Sequence, residues 1–272
     1  MSETPENIGH TPKKPVPFRG GGFSPRPIKM IAPAMFAALI GIWEVGSRTG
    51  IISQLVLPAP SEAFQAFWQL VESGMLLKHL GISLQRIIIG WVCGSILGIT
   101  VGLLIGLFSV ARSSMSPLVS ALFPIPKIAL LPLFIIWFGI GEESKVATIL
   151  FGTFFPTVIA TYGGVDNVDR TLIRMAQSFG LPWRSIVRKI ILPGALPAIL
   201  SGSRISVSIA IVLLVAAEMI GAEFGVGAYI LLAGSLMATD QLIAGVAILS
   251  AMGLSMAWLI GRAERYFLRW RI

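Results

Sequence analysis

The sequence predicts an all-α polytopic membrane protein with about six transmembrane helices. Of its 272 residues, 55% are hydrophobic and 12% are charged, and the mean hydropathy is +0.83, far from the usage of soluble domains. Lipid offers the backbone no hydrogen bonds, so a chain that crosses it forms a helix, which satisfies its own backbone groups. Such a helix needs roughly 20 mostly apolar residues to span the ~30 Å hydrocarbon layer. Six runs fit: Met30 to Ser47, Ile87 to Val110, Met115 to Ile140, Val146 to Val165, Ile205 to Ala222 and Leu242 to Ile260.

The distribution of cations predicts the orientation of these spans. With a cytoplasmic N-terminus, sixteen of the 21 lysines and arginines lie on the inner side, and Arg48, Lys78, Arg86 and Lys145 lie outside. Because positive residues favour cytoplasmic loops, both termini are predicted to be cytoplasmic. The net charge of +8 comes from basic residues between apolar runs, not among exposed aromatic residues, so we expect lipid and no nucleic acid as a partner.

Residues 1–29 are rich in proline and glycine, and we predict a flexible basic cytoplasmic tail there, followed by a transmembrane domain over 30–272. We expect no cleavable signal, because the first apolar run lacks a small-residue cleavage site. His10 and His79 have no partner at ligand spacing, so the sequence predicts no metal site and no catalytic pair.

Two outer connections have distinct patterns. The segment from Leu57 to Leu80 has a helix start at Ser61 and apolar residues at helical spacing, which predicts a short amphipathic helix at the outer surface. The segment from Glu223 to Gln241 contains three glycines and is predicted to be an outer loop.

The second span carries glycine at every fourth position. A stripe of small residues on one helix face lets another helix approach closely within lipid. The stripe can pack within one bundle, or it can meet a second copy of the chain or a sliding helix. Its members are Gly90, Gly94, Gly98, Gly102 and Gly106.

The third span contains four prolines, each of which removes a backbone hydrogen bond or kinks the helix. Broken helices are tolerated in membranes where they line protein or a water-filled cavity, so this span is predicted to line a solute path. Lys127 either lies on that path or extends to the inner face. Glu44 and Glu218 lie near outer span ends, where we expect hydrated carboxylates, with a gating ion pair as the alternative. The candidate path residues are Pro126, Lys127, Pro132 and Glu218.

The connection from about 167 to 197 is the longest one on the inner side, and it predicts two short helices separated by Gly180 and Pro182. In the second helix, Trp183 and Ile186 share an apolar face, and Pro193 is predicted to end it. A compact knob of this kind docks into a groove of a partner, whereas a basic amphipathic helix also suits the membrane surface.

At this connection the spacing of Ala176, Gly180, Ile190, Leu192 and Pro193 resembles the cytoplasmic "EAA" signature of inner-membrane permeases of binding-protein-dependent ABC importers. The resemblance covers about Leu57 to Arg271 and is closest to the branch that serves nitrate, sulfonate and taurine importers. It rests on four further motifs: Leu57 to Glu62, Ile125 to Leu133, Trp137 to Gly141 and Ala216 to Glu218. Arg174 stands where the signature has its glutamate, so no role is transferred to Arg174.

The resemblance implies a type I, MetI-like permease fold in the bacterial inner membrane and a homodimer with a second copy of the chain. It also implies two ATP-binding cassette ATPase subunits, which bind ATP and magnesium, and a periplasmic or surface-tethered solute-binding protein. The solute is expected to be a small anion of the sulfonate, taurine or nitrate type. The expected ATPase-coupling residues are Ala176, Gly180, Trp183, Ile190, Leu192 and Pro193.

The chain is predicted to be a transport subunit and not an enzyme, because it contains no Gly-Lys dipeptide and hence no phosphate-binding loop of the usual kind. A stand-alone secondary transporter is the alternative, but inverted repeats and midplane clusters of ionisable residues are not found. A membrane-embedded enzyme would have only Glu44, Lys127 and Glu218 available near the bilayer.

Overall fold

The computed structural model describes residues 30–269, so the predicted tail over residues 1–29 lies outside the described residues. All regular elements in this range are helices. They are α1 (Ile31–Arg48), α2 (Pro60–Glu72), α3 (Met75–Leu107), α4 (Ser109–Leu122), a 3-10 turn (Lys127–Leu130), α5 (Leu131–Phe138), α6 (Glu142–Asp166), α7 (Arg170–Ser178), α8 (Trp183–Ile186), a π turn (Val187–Ile191), α9 (Leu192–Gly221), α10 (Val226–Ser235) and α11 (Thr239–Phe267).

The described part of the chain has four helices long and apolar enough to cross a membrane: Met75–Leu107, Glu142–Asp166, Trp183–Gly221 and Thr239–Phe267. A fifth span is obtained if α4 and the segment Lys127–Phe138, which are bent by 92° from one another, count as one broken span. Helix α1, with 18 residues, is not in this set. The predicted six spans are therefore an approximate count.

Helices α3 and α6 form the most closely packed pair of the bundle, and the glycine stripe of α3 lies between them. A Cβ atom added at Gly90 would lie 2.7 Å from Ile149 Cβ, and one at Gly106 would lie 2.7 Å from Val165 Cβ. Opposite the middle of the stripe, α6 presents threonines whose hydroxyls donate to carbonyls one turn earlier. The stripe thus packs inside one chain.

The third predicted span is broken at its prolines. Helix α4 ends at Leu122, and the chain resumes helical geometry at Lys127, after Pro124 and Pro126. Neither proline has an N–H with which to continue the helical hydrogen bonds, and Pro126 has a ψ of 109°, in the extended region. The prolines therefore divide one predicted span into two arms, α4 and α5, with the 3-10 turn between them.

The prediction that Pro193 ends a helix is wrong. The chain is helical from Trp183 to Gly221 as one continuous unit, and the π turn Val187–Ile191 lies directly before Pro193. In this turn the Leu192 N–H donates to the Val187 carbonyl, one residue farther back than in an α-helix. The wider turn relieves the clash between the Pro193 ring and the preceding turn of helix, and it shifts the hydrogen bonds so that the absent N–H of Pro193 does not break the helix.

The predicted outer loop between Glu223 and Gln241 is also wrong, because most of it forms helix α10. Val226 and Ala233 are buried, so α10 packs into the bundle instead of lying on its surface. Glycine permits this approach: a Cβ atom added at Gly227 would lie 2.9 Å from the Val215 carbonyl oxygen of α9.

Helix α3 begins earlier in the sequence than predicted. The amphipathic helix α2 ends at Glu72, Gly74 follows with a φ of +71°, and α3 starts at Met75 instead of Ile87. The additional turns of α3 bring His79 and Ser83 into the interior.

Candidate coupling surface and solute path

A glycine turn joins the two short helices of the inner connection. Gly180 has a φ of +69°, and its N–H donates to the Gln177 carbonyl at 2.9 Å. The next residue, Leu181, donates to the Ala176 carbonyl at 3.1 Å. These two bonds form a Schellman motif, which needs a residue with positive φ at the position of Gly180.

Helix α7 is anchored on one face only. Its Ala176 is buried and, with Ile173, packs on a core cluster that contains Val165 and Ile199 of the spanning helices α6 and α9. The Asp169 side chain caps the start of α7 by accepting from the Thr171 N–H at 2.7 Å. The helix is therefore held firmly against the bundle.

The opposite face of α7 and the turn after it expose large apolar side chains. Leu172 and Met175 are about half exposed, and Phe179 is 79% exposed. Arg174 and Gln177 are also exposed, on a different side of the helix. Because large apolar side chains rarely stay clustered in water, this face has the properties of an interaction surface. We call Leu172, Met175, Phe179 and Trp183 the coupling surface.

Helix α8 carries the coupling surface toward α4. Ile186 is buried below it, Ile190 is half-buried, and Trp183 is 53% exposed. The Trp183 ring lies 5.7 Å, centroid to centroid, from the ring of Phe108, the residue between α3 and α4. Leu192 and Pro193 follow on the same continuous helix and are half-buried. Of the coupling residues expected from the resemblance, Ala176, Gly180 and Trp183 thus lie around the glycine turn, whereas Leu192 and Pro193 lie about 14 Å farther along the helix.

A cleft of about 300 Å³ separates the coupling connection from the start of α4. At its rim, Arg112 of α4 forms an ion pair with Asp166 at the end of α6. The Arg112 Nε also donates to the Ile105 carbonyl. Helix α4, the first arm of the broken span, is therefore in direct contact with the region that carries the coupling surface.

Lys127 lies at the break and turns back onto the end of α4. Its ammonium group donates to the carbonyls of Leu122, Phe123 and Ile125 at 3.0, 2.6 and 2.7 Å. A cation at a helix C-terminus satisfies carbonyls that have no partner within the helix. The structure thus gives Lys127 a capping role that neither sequence interpretation included.

The second arm of the broken span has one buried and one exposed face. Leu131 and Phe134 are buried against α6, while Ile136 and Trp137 are 78% and 62% exposed. Pro132 is on the exposed side, in the first turn of α5, where its missing N–H costs nothing. Three candidate path residues, Pro126, Lys127 and Pro132, therefore lie together at the break, and Glu218 lies elsewhere.

Glu218 belongs to a buried polar network at the end of the bundle opposite the coupling connection, which we call the outer end after its predicted side. Its Oε1 accepts from Arg86 Nη1 at 2.8 Å and from Ser83 Oγ at 2.7 Å. Its Oε2 accepts from the Gly227 N–H at 2.8 Å, at the start of α10, where the helix dipole favours a negative charge. The other edge of Arg86 makes a bidentate pair with Glu142, at 2.5 and 2.6 Å.

The expectation of a hydrated carboxylate is wrong for Glu218, which is 1% exposed. The alternative, an ion pair, is what the structure has. Its partner Arg86 is predicted to lie in an outer segment, because by hydropathy the second span begins only at Ile87. One sign was available: His79, Ser83 and Arg86 follow each other at i, i+4 and i+7, which places three polar groups on one helix face. Glu44 remains near the surface, paired with Arg48.

The chain matches the family model "Binding-protein-dependent transport system inner membrane component" over residues 94–269. The chain belongs to this family. The permease is 38% identical over 235 residues, 86% of its length and 85% of the relative's, to the putative aliphatic sulfonates transport permease protein SsuC of Bacillus subtilis (strain 168). It is 36% identical over 219 residues, 79% of its length and 80% of the relative's, to the taurine transport system permease protein TauC of Escherichia coli (strain K12).

The fold of the permease matches solved transporters. One is an inward-facing conformation of the MetNI methionine ABC transporter, with a TM-score of 0.62, 20% sequence identity, and coverage of 72% of this chain and 97% of that chain. At this level of identity the match concerns the fold alone, and it confirms the MetI-like fold expected from the sequence. The permease is therefore the membrane-spanning subunit of an ABC importer, and such importers work with ATPase and solute-binding partners.

Proposed function

We propose that the permease imports a small anion of the sulfonate, taurine or nitrate type through the inner membrane, driven by two separate ATPase subunits docked on the coupling surface. The observation that carries this proposal is the Schellman turn at Gly180, which presents Phe179 outward next to Met175 while the opposite face of α7 is buried. ATP and magnesium are bound by the ATPase subunits, and this chain has no ATP site of its own.

The coupling surface fits docking better than lipid contact. A helix that lies on a membrane places cations around an apolar face that is otherwise free, whereas α7 is fixed to the bundle through Ala176. A rigid knob transmits displacement, because its buried face moves with the spanning helices. Through the Trp183–Phe108 contact and the Arg112–Asp166 pair, such a displacement reaches α4 and thereby the broken span.

The broken span is the proposed lining of the solute path, with Pro126, Lys127 and Pro132 at its bend. An anion is compatible with this lining, because Lys127 is the charged side chain at the bend, and the acidic groups of the outer network, Glu142 and Glu218, are paired with Arg86. The relatives named for aliphatic sulfonates and taurine support the same solute class.

Helix α1 supports the proposed homodimer. Apolar residues around the whole helix are exposed, among them Phe36 at 68% and Ile42 at 70%. Its described attachments to the rest of the chain lie at its outer end, where Trp43 donates to the Pro58 carbonyl and Ser47 to the Leu57 carbonyl. A helix that stands away from its own bundle is well placed to pack on a second copy. We propose this packing and, from the cation distribution, cytoplasmic termini.

Affinity purification of the tagged permease from gently solubilised membranes tests the proposal, together with an ATPase assay of the recovered complex. We expect ATPase subunits in equal number with the permease and hydrolysis stimulated by a binding protein loaded with a sulfonate. Phe179→Ala should lower recovery of the ATPase, whereas Leu236→Ala, which truncates another exposed apolar side chain outside the coupling surface, should not. Recovery of the permease alone, with solute movement in vesicles without ATP, would indicate a secondary transporter.

A further inference from the structure

A groove of about 700 Å³ lies between α9 and α11 at the end of the bundle that carries the coupling connection. We propose that this groove binds an anionic phospholipid of the adjacent leaflet, with the phosphate on arginines at its mouth and the acyl region on its apolar wall. The level of the groove follows from α11, whose first turn lies at the opposite end of the bundle, where Thr239 Oγ1 donates to the Gln54 carbonyl. Near the last turn of α11, Glu264 pairs with Arg204 of α9.

The floor of the groove is Gly261. It has no side chain, and a Cβ atom added there would lie 3.5 Å from Arg204 Nη2, so the guanidinium crosses α11 at this point. The Arg204–Glu264 pair holds the guanidinium in position, yet the Arg204 side chain remains 50% exposed. The pair therefore orients a cation toward the open side of the groove and does not seal it.

The mouth of the groove is positively charged. Arg265 lines it and is exposed, and among residues 30–269 it forms no ion pair with a carboxylate. Arg262 on the same helix lies over the Trp258 ring, 6.0 Å from its centroid, and Arg269 follows the end of α11 beside Tyr266. The two arginines that line the groove, Arg204 and Arg265, thus stand with two further arginines nearby against the single lining carboxylate of Glu264. Guanidinium groups bind phosphate through paired, charge-assisted hydrogen bonds, and basic pockets between spanning helices on this side bind lipid headgroups.

The deeper wall of the groove is apolar. Ala257 and Trp258 line it, Trp258 is 58% exposed, and Leu254, one turn deeper on the same face of α11, is also exposed. At a rise of 1.5 Å per residue, Trp258 lies about 10 Å deeper along α11 than Arg265. This spacing matches the step from headgroup to hydrocarbon, where tryptophan is enriched.

The ligand that fits this order of groups has an anion at one end and an apolar body at the other. A free phosphate would use only the arginine end and leave the wall with Trp258 uncovered. A second copy of the chain would have to present acidic groups at the same level as apolar ones. An anionic phospholipid satisfies both ends at once, and the bilayer supplies it at the correct depth.

Native mass spectrometry of the full-length permease in detergent micelles tests this site. The protein is titrated with phosphatidylglycerol and, separately, with phosphatidylcholine. We expect phosphatidylglycerol to bind about tenfold more tightly, and Arg265→Gln to weaken it by about tenfold, the effect of one lost charge-assisted contact. Lys189→Gln, which removes another exposed cation near the coupling surface, should change the affinity by less than about twofold.

A second variant tests the shape of the groove without changing its charge. Gly261→Leu should fill the floor and reduce phosphatidylglycerol binding as strongly as Arg265→Gln, with the elution volume on size exclusion unchanged. Equal retention of the two lipids, or equal effects of the Arg265 and Lys189 substitutions, would overturn the proposal. Displacement of the lipid by millimolar inorganic phosphate would make this a phosphate site, which also overturns it.

The second-copy alternative is tested by cross-linking. In a Cys93→Ser background, which removes the only native cysteine, Gly261→Cys should not form a disulfide between copies in native membranes. Efficient cross-linking at this position would show that the groove is covered by a second chain, and the lipid assignment would then be rejected.

Discussion

Arg86 Nη1 of α3 donates to Glu218 Oε1 of α9 at 2.8 Å, across 132 residues of sequence. Both side chains are almost fully buried, at 3% and 0% exposure. Because the same carboxylate also accepts from the Gly227 N–H of α10, a single ion pair fixes three helices at the outer end of the bundle. The packing at this end therefore depends on a buried charge that Arg86 of α3 neutralises and the backbone of α10 helps to solvate.

Loss of Arg86 alone should destabilise the permease strongly. Arg86→Met leaves Glu218 buried without its counter-ion, and removal of one partner from a buried pair typically costs about 3–5 kcal/mol. The double variant Arg86→Met, Glu218→Gln should recover much of this loss, because it removes both charges of the buried pair. Intrinsic tryptophan fluorescence during thermal unfolding in detergent measures both variants.

Glu142 provides the matched control for this pair. It contacts the same guanidinium, but its side chain is 59% exposed, so Glu142→Gln should cost about 1 kcal/mol or less. If the Arg86→Met variant unfolds at the wild-type temperature, or the double variant is no more stable than the single one, the ion pair does not hold the outer end together.

Much of the fold was predictable, because bilayer thickness limits what an apolar run can do. The runs from Val146 and from Leu242 correspond to α6 and α11, and the glycine stripe of α3 indicated close packing before any partner was known. Local sequence signals gave wrong predictions where the tertiary structure accommodates a proline or a glycine within a helix. Pro193 predicts the end of a helix, but a π turn accommodates this proline within one. The glycines after Glu223 predict a loop, but Gly227 lets α10 pack closely against α9.

The coupling turn was more predictable than the outer network. Gly180 and Leu181 form a local motif, so the signal lies within a few residues of sequence. Arg86 and Glu218 are far apart in sequence, and their pairing depends on how α3 and α9 cross. Hydropathy alone treats a charge near a span end as interfacial, since it has no information about a buried partner.

The glycine stripe should be sensitive to a single methyl group. A Cβ atom at Gly102 would lie 2.5 Å from Thr161 Cβ and 2.8 Å from the Val158 carbonyl oxygen. We expect Gly102→Ala to destabilise the permease by about 1–3 kcal/mol, the usual cost of overpacking. The thermal midpoint in detergent, with the yield of monodisperse protein, measures this effect.

Gly81, on the same helix α3, is the control for helix propensity. Its added Cβ would meet nothing within 4 Å, so Gly81→Ala should be neutral or stabilising by up to about 1 kcal/mol. Equal effects of the two substitutions would mean that the α3–α6 contact is looser than the structure shows.

Replacement of Lys127 separates capping from solute binding. Lys127→Met removes a cation from three carbonyls at the end of α4, and we expect a loss of stability of about 1 kcal/mol. If capping is its main role, uptake should keep its KM for the solute and lose only maximal rate. An increase of KM by tenfold or more at unchanged stability would instead place the Lys127 ammonium in contact with the anion.

Gly180 is the position where backbone conformation and coupling can be tested together. Its φ of +69° costs an ordinary residue about 1–2 kcal/mol, more for a β-branched one, although no neighbouring atom would touch an added Cβ within 4 Å. Gly180→Val should therefore shift the turn out of its docking geometry and lower ATP-driven uptake about tenfold, since 1.4 kcal/mol corresponds to a tenfold change in population. Gly180→Asn should retain most of the activity, because asparagine tolerates positive φ.

Membrane insertion, measured by the amount of protein in the membrane fraction, should be the same for both variants, since Gly180 is exposed and the spanning helices do not depend on it. Normal uptake by the valine variant would show that this turn does not couple ATP hydrolysis to transport, and equal loss in both variants would indicate a need for the bare glycine surface instead of its conformation.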